Sequence, residues 1–306
     1  MLICDLHCDL PDKVLDGKAL ANNGCHWDEA KLKKAHNYVQ TFAHFVDARK
    51  YPDAFSRVDA MLKNFKEKLA TTTLGLVLSP ADLEENIRAG RPSAILSIEG
   101  GEALDGKLEN VQYFYDLGVR FLTLTWSLRN DICESCVSGD APLTDFGKAV
   151  VKEMNRLHMT PDVSHMCEKG FWSTLETSTR PIVATHSNAK KLCAHARNLT
   201  DEQFCAIKNC GGLVGINFYA PFLENDAGKA SLDSIVQHIE HFLALGGEDT
   251  LCLGGDLDGM PTPAKGIGGI WDVDKIAEKL AKLNYSEDLI AKIMGENVRR
   301  FVVDWF

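Results

Sequence analysis

The chain has 306 residues, of which 45% are hydrophobic and 25% charged, and a formal net charge of −10. That length and apolar content can bury a sizeable core, while the acidic balance leaves no basic stripe for phosphate backbones or anionic headgroups, so neither nucleic acid nor membrane is an expected partner. No apolar run approaches the ~18 residues that would cross a bilayer, and the opening MLICDLHCDL reads as a strand rather than a targeting segment. A cytoplasmic enzyme is expected.

Short apolar runs alternate with longer amphipathic segments from end to end, which argues for parallel strands joined by helical crossovers. Strands are expected at 2–7, 38–46, 94–98, 120–125, 159–164, 181–185, 212–217 and 251–255. Eight of them predict an α/β fold, a closed (β/α)8 TIM-like barrel forming a single domain over residues 1–306. For the second strand, TTLGLVL near residue 75 competes with YVQTFAHFVDA. Thr200 and Gln203 form a capping box that predicts a helix over about 201–210. Ser231 precedes the stripe Leu232, Ile235, Val236, Ile239, Phe242 and Leu243, which stops at Gly246-Gly247. Ser286 caps a third helix, with Glu287 and Asp288 in its first turn. Ten cysteines lie scattered through apolar runs, Cys4, Cys193, Cys205 and Cys252 among them, and read as reduced small hydrophobes. Cys133 and Cys136 make one C-x-x-C, without the second pair a structural zinc site needs.

Five metal-competent side chains fall at expected strand ends: His7 and Asp9 in DLHCD, Glu99 in SIEGG, His165 in DVSH and His186 in ATHSN. A barrel gathers ligands from distant segments in this way, at the C-terminal mouth of its strands. Strand alternation puts Asp5, His7 and Asp9 on one face. Three polar groups on a buried face need compensation; a divalent cation on His7 and Asp9, with Asp5 supporting from one step deeper, supplies it. Gly100 and Gly101 leave the Glu99 carboxylate at the mouth, and His165 and His186 add imidazole nitrogens, common zinc ligands. Any one of these residues alone reads as structural; their shared placement predicts a metallohydrolase. Asp256, directly after LCLGG, is the expected general acid/base, and Asp258 the shaper of the glycine-rich turn. No G-x-G-x-x-G follows a strand and no phosphate-binding loop is present, which disfavours a dinucleotide enzyme.

In order, DLHCDLP, SIEGGEAL, LTLTW with Asn130, LTDFGK, DVSH, ATHSNA, ARN, GGLVGINFY and GGDLDG resemble the signatures of the membrane (renal) dipeptidase family of zinc metallopeptidases, within the amidohydrolase superfamily. The resemblance spans nearly the whole chain. It implies two Zn2+ ions per chain, one on His7 and Asp9 and one on His165 and His186, bridged by Glu99. A metal-bridging hydroxide would then hydrolyse dipeptides, including those with a D residue at the C-terminal position, with Asp256 handling the proton. Arg197, in HARN, would hold the substrate's C-terminal carboxylate in its bidentate fork. Where vertebrate members carry a histidine directed at the substrate carbonyl, this chain has Trp126, whose indole has one donor and takes up no proton. Trp126 is expected to line the substrate site. That departure keeps open a related amidohydrolase acting on N-acyl amino acids, lactones or cyclic amides; a noncatalytic barrel binding protein is the reading from another class. A small peptide is the expected partner, and a homodimer stays open.

Overall fold

Branched and aromatic residues fit a pleated, buried surface, and here they fill eight short parallel strands. A computed structural model describes residues 1–306. The strands are β1 (Leu2–Asp5), β2 (Asn37–Phe45), β3 (Gly75–Leu76), β4 (Ser93–Glu99), β5 (Val119–Thr123), β6 (Thr160–Asp162), β7 (Val214–Ile216) and β8 (Leu251–Leu253). They pair in the order β6-β5-β4-β2-β1-β8-β7, with β3 a stub on β4. Single bridges from Asp162 to Val183 and from Ala184 to Val214 join β6 to β7 and complete the curl into a TIM-like barrel.

Two expectations change in detail. The segment 181–185 lies in its place in the ring and pairs by backbone on both sides, Val183 N to Pro161 O at 3.0 Å and Ala184 N to Leu213 O at 2.9 Å, but with a single bridge to each neighbour; at Thr185 the N–H goes instead to Asp162 Oδ1 (3.0 Å) and the hydroxyl to Asp162 Oδ2 (2.6 Å). The Asp162 side chain thus ends the backbone pairing with β6 at Thr185. The rival segments near residues 40 and 75 both enter the sheet, the first as nine-residue β2 and the second as two-residue β3.

Inward residues from around the ring, Cys4, Val39, Ile95, Phe121, Val183, Leu213 and Cys252, meet in one buried cluster with Val298, Phe301 and Val302. Those last three belong to the helix Asn297–Trp305, which plugs the end of the barrel opposite the mouth. Outward residues such as Ile3, Phe42, Leu96 and Leu122 pack into the larger cluster under the helices. The expected helices form as Asp201–Asn209, Leu232–Ala244 and Glu287–Ala291. The Thr200–Gln203 capping box is closed in both directions. All ten cysteines are free, and Cys205 is half-buried rather than core. No helix is long and apolar enough to cross a membrane.

One buried histidine sets a pH dependence. His44 in β2 places Nδ1 2.9 Å from Ser97 O, while its Nε2 has no partner. Burial pushes its pKa down to about 4, against opposing backbone hydrogen bonds. The unfolded chain takes up that proton near pH 6.5 and the folded chain only near 4, so stability is full above the first value and lost as pH falls toward the second. The share due to His44 is about 3 kcal/mol at acid pH. Urea unfolding at pH 7 and pH 4.5 should therefore show a smaller acid loss in His44→Leu than in the wild type; equal losses would refute it.

Candidate metal centre

β1 ends at Asp5, and the alternation expected for Asp5, His7 and Asp9 does not hold. Cys4 and Leu6 belong to the interior cluster, and Asp5 lies opposite Gln40 on the outward face. Strict alternation would send His7 outward with Asp5; the chain instead bends at Leu6 and brings His7 round to the mouth. Asp5 acts on backbone rather than on a ligand side chain. Its Oδ1 accepts from His7 N at 2.9 Å and from Gly255 N at 3.0 Å, tying the end of β1 to the segment after β8. Burial raises its pKa to about 6, against these hydrogen bonds.

Glu99 is the last residue of β4, whereas His165 and Asp256 follow β6 and β8 in left-handed conformations, at φ 67° and 58°. Such a backbone in a non-glycine residue costs on the order of 1–3 kcal/mol and gathers where geometry serves function. Asp9 immediately precedes the helix Leu10–Leu15. A Cβ at Gly259 would collide with the carboxylates of Asp9 and Asp256, so glycine leaves the room both need.

The five side chains converge. Glu99 Oε1 lies 2.9 Å from His165 Nε2 and 3.4 Å from His186 Nε2, while Oε2 lies 3.6 Å from His7 Nε2. His7 Nε2 is 3.4 Å from Asp9 Oδ2, and the His165 and His186 Nε2 atoms are 2.9 Å apart. Ligand atoms of His7, Glu99 and His186 lie within 4.8 Å of one another, as do those of His7, Asp9 and Asp256. His7 Nε2 and Asp9 Oδ1 are buried without a hydrogen-bond partner.

Charge is poorly balanced within this cluster. Burial lowers His165 to about 4, helped by Arg197, and lowers His186 further below its ordinary value, helped by His7. Burial also opposes ionisation of Glu99, but His7, His165 and His186 outweigh it and hold the carboxyl well below the usual range. Asp9 is pushed up to about 8 by burial and by Glu99. The neutral imidazoles of His165 and His186 and the crowded carboxylates, pointing lone pairs at one volume, are a donor set that suits divalent cations. By this chemistry the residues fit a metal.

Supporting groups escaped the sequence reading. His186 Nδ1 lies 2.8 Å from the Thr185 hydroxyl, which donates to Asp162. That hydroxyl can only accept from Nδ1–H, which leaves Nε2 as the free lone pair. Asp162 also accepts from the Thr123 hydroxyl at 2.6 Å. Asn217 Nδ2 donates to Asp256 Oδ2 at 3.1 Å. Asp258 takes the backbone N–H groups of His26 and Trp27 at 2.9 and 3.0 Å, and so pins the chain after the first helix to the mouth.

Cavities flank the cluster on two sides. One of about 190 Å³ beside His165 is lined by Arg197, Ser187, Cys136, Lys190 and Gln203. Another of about 200 Å³ beside Asp9 is lined by Glu99, Asp256, Phe45, Trp126 and Lys13. Arg197 is 7% exposed and makes no ion pair; its Nη2 donates to His186 O at 3.3 Å, and its Nε has no partner. The Ser187 hydroxyl is buried and equally unpartnered. Trp126 is half-buried, packs against Phe45 at a 60° tilt with centroids 4.6 Å apart, and lies under the Arg49 guanidinium.

Comparison with known proteins bears on this geometry. The model of the membrane dipeptidase family (peptidase family M19) matches residues 1–304. Over 235 residues the chain is 38% identical to an uncharacterised protein of the pqqA 5′ region in Klebsiella pneumoniae, covering 73% of this chain and 86% of that one. It is 30% identical to the dipeptidase tcpJ of Claviceps purpurea, covering 96% and 68% of the two chains. A metallopeptidase from Rhodobacter sphaeroides, liganded with a phosphinate mimic of the dipeptide L-Ala-D-Ala, superposes with a TM-score of 0.91 at 25% identity, covering 100% of this chain and 99% of that one.

Proposed function

The chain belongs to the membrane dipeptidase family of metallopeptidases, and on that premise we propose that its single barrel unit hydrolyses dipeptides with two zinc ions, including dipeptides that end in a D residue. One observation carries the binuclear reading: the two Glu99 oxygens face different imidazoles, Oε2 toward His7 and Oε1 toward His165 and His186. In this assignment His7 and Asp9 would hold one ion, His165 and His186 the other, and Glu99 would be shared by both. When bound, the metals polarise the scissile carbonyl and lower the pKa of water so that a nucleophile exists at neutral pH. The mimic in the Rhodobacter sphaeroides enzyme supports tolerance of a D residue.

The remaining steps fall to side chains. Asp256 accepts a proton from the attacking water and passes it to the leaving nitrogen. Asn217 holds Asp256 Oδ2, which leaves Oδ1 for the exchange. Arg197 is a buried cation without a counter-ion, costly unless an anion completes it; the free carboxylate of the peptide is that anion, and the Ser187 hydroxyl offers a second donor beside it. Anchoring the C-terminal residue there directs the N-terminal residue toward the other cavity, which Phe45 and Trp126 line.

A test compares a dipeptide, its C-terminal amide and an N-acetyl amino acid on wild type and Arg197→Ala. Losing one partner of a buried charge pair removes about 2–4 kcal/mol, so kcat/KM for the dipeptide should fall roughly 30- to 1000-fold while the amide changes little. If the variant kept the wild-type preference for the free acid, Arg197 would not be the carboxylate anchor. Faster turnover of the acetylated amino acid than of any dipeptide would favour the related amidohydrolase reading instead.

A further inference from the structure

The strongest feature the proposed reaction does not use is a pair of thiols beside the cavity. Cys133 and Cys167 make the single thiol–thiol contact in the chain, Sγ to Sγ 4.0 Å. Both point at one acceptor, Ala141 O, at 3.3 and 3.2 Å. Cys167 also caps the helix Glu168–Thr177, accepting from Gly170 N at 3.4 Å. The approach depends on Gly170, where any Cβ would press against both sulfurs.

Backbone pairing holds the two segments in register. Cys136 N donates to His165 O at 2.7 Å, Cys167 N donates to Glu134 O at 3.4 Å, and Ser135 and Met166 form an antiparallel bridge. The sulfurs therefore stay close in the reduced protein, and a bond requires them to close from 4.0 Å to ~2.05 Å. Both residues are 2% exposed, yet Cys167 lines the cavity beside His165 and Arg197 while Cys133 lies behind it. A molecule the size of water can reach the first through the cavity; a protein thiol cannot.

We propose that Cys133 and Cys167 form a peroxide-modifiable dithiol that closes to a disulfide beside the metal centre. The Cys167 sulfur attacks one oxygen of hydrogen peroxide; an S–O bond forms, the O–O bond breaks, and the other oxygen leaves as water with the thiol proton. The Cys133 sulfur then attacks the sulfenic sulfur; the S–S bond forms, the S–O bond breaks, and a second water leaves. Two thiols lose two electrons in total and one peroxide gains them. The product staples the 133–136 segment to the segment carrying His165, across 34 residues of chain, and spares Cys167 from irreversible oxidation.

The zinc-loaded protein is treated with excess hydrogen peroxide, unfolded in an alkylating agent, and digested with trypsin and a glutamate-specific protease. Cleavage after Glu134 separates Cys133 from Cys136. Wild type and Cys136→Ser should both lose about 2 Da and yield a peptide linking Cys133 to Cys167, while Cys133→Ser should gain about 32 Da at Cys167 as sulfinic acid. Full alkylation of both thiols in treated wild type, sulfinic acid at Cys167 without a cross-link, or a cross-link through Cys136 would each overturn the proposal. Should Cys133→Ser fail to fold, the wild-type map decides alone.

Discussion

Replacing Asp256 with asparagine is expected to lower kcat by about 10²–10⁴ while bound metal stays at the wild-type level. Asparagine tolerates the left-handed backbone that Asp256 adopts at φ 58°. Its side-chain oxygen can still accept from Asn217 Nδ2, and Gly259 leaves the same room for it. What disappears is the capacity to take up and return a proton. That capacity is tuned in the wild type, where burial and the Glu99 charge raise the Asp256 pKa against the opposing influence of His7 and Asn217. The measurement has to include metal content, because Asp256 also lies within ligand range of His7 and Asp9. Loss of zinc in step with activity would make Asp256 a ligand; near-native turnover would remove it from the reaction altogether.

Legibility in the sequence followed locality. Glu99 could be placed at the mouth because the strand before it and the glycines after it are contiguous, and the structure has it as the last residue of β4. His7 reaches the mouth by a route other than the one expected: the alternation argument assumed a strand through Asp9, whereas the chain bends after Asp5, a rearrangement with no signature in LICDLHCD. The segment 181–185 looked like a full strand because its composition does not reveal that Asp162, some twenty positions earlier, takes the Thr185 N–H and cuts the backbone pairing short. An aspartate inside an expected strand, with a threonine just before a histidine on the next, was the available signal for that relay. Arg197 had no local signal at all and rested on the resemblance; its burial without a counter-ion appears only in three dimensions. The Cys133–Cys167 contact is of the same kind, since attention to spacing favours Cys133 with Cys136.

Glu99→Gln is expected to leave a folded barrel that, purified with zinc supplied, holds less than one equivalent of metal and shows no measurable turnover. The two side chains match in volume, so packing at the end of β4 should persist. Their lone pairs do not match. Glutamine keeps one acceptor oxygen and turns an NH2 toward the imidazoles, whereas glutamate presents one oxygen to His165 and His186 and the other to His7. In the assigned centre that swap leaves an oxygen for one ion at most, takes a ligand from the other, and removes the negative charge that opposes both. Changes merely behind a ligand lower affinity by about 10–100-fold, and loss of a shared ligand should exceed that. Circular dichroism and urea unfolding of the metal-free forms separate this effect from misfolding. Elemental analysis then decides: two equivalents of zinc and turnover within tenfold of wild type in the variant would show that Glu99 does not bridge, and the binuclear assignment would fall with it.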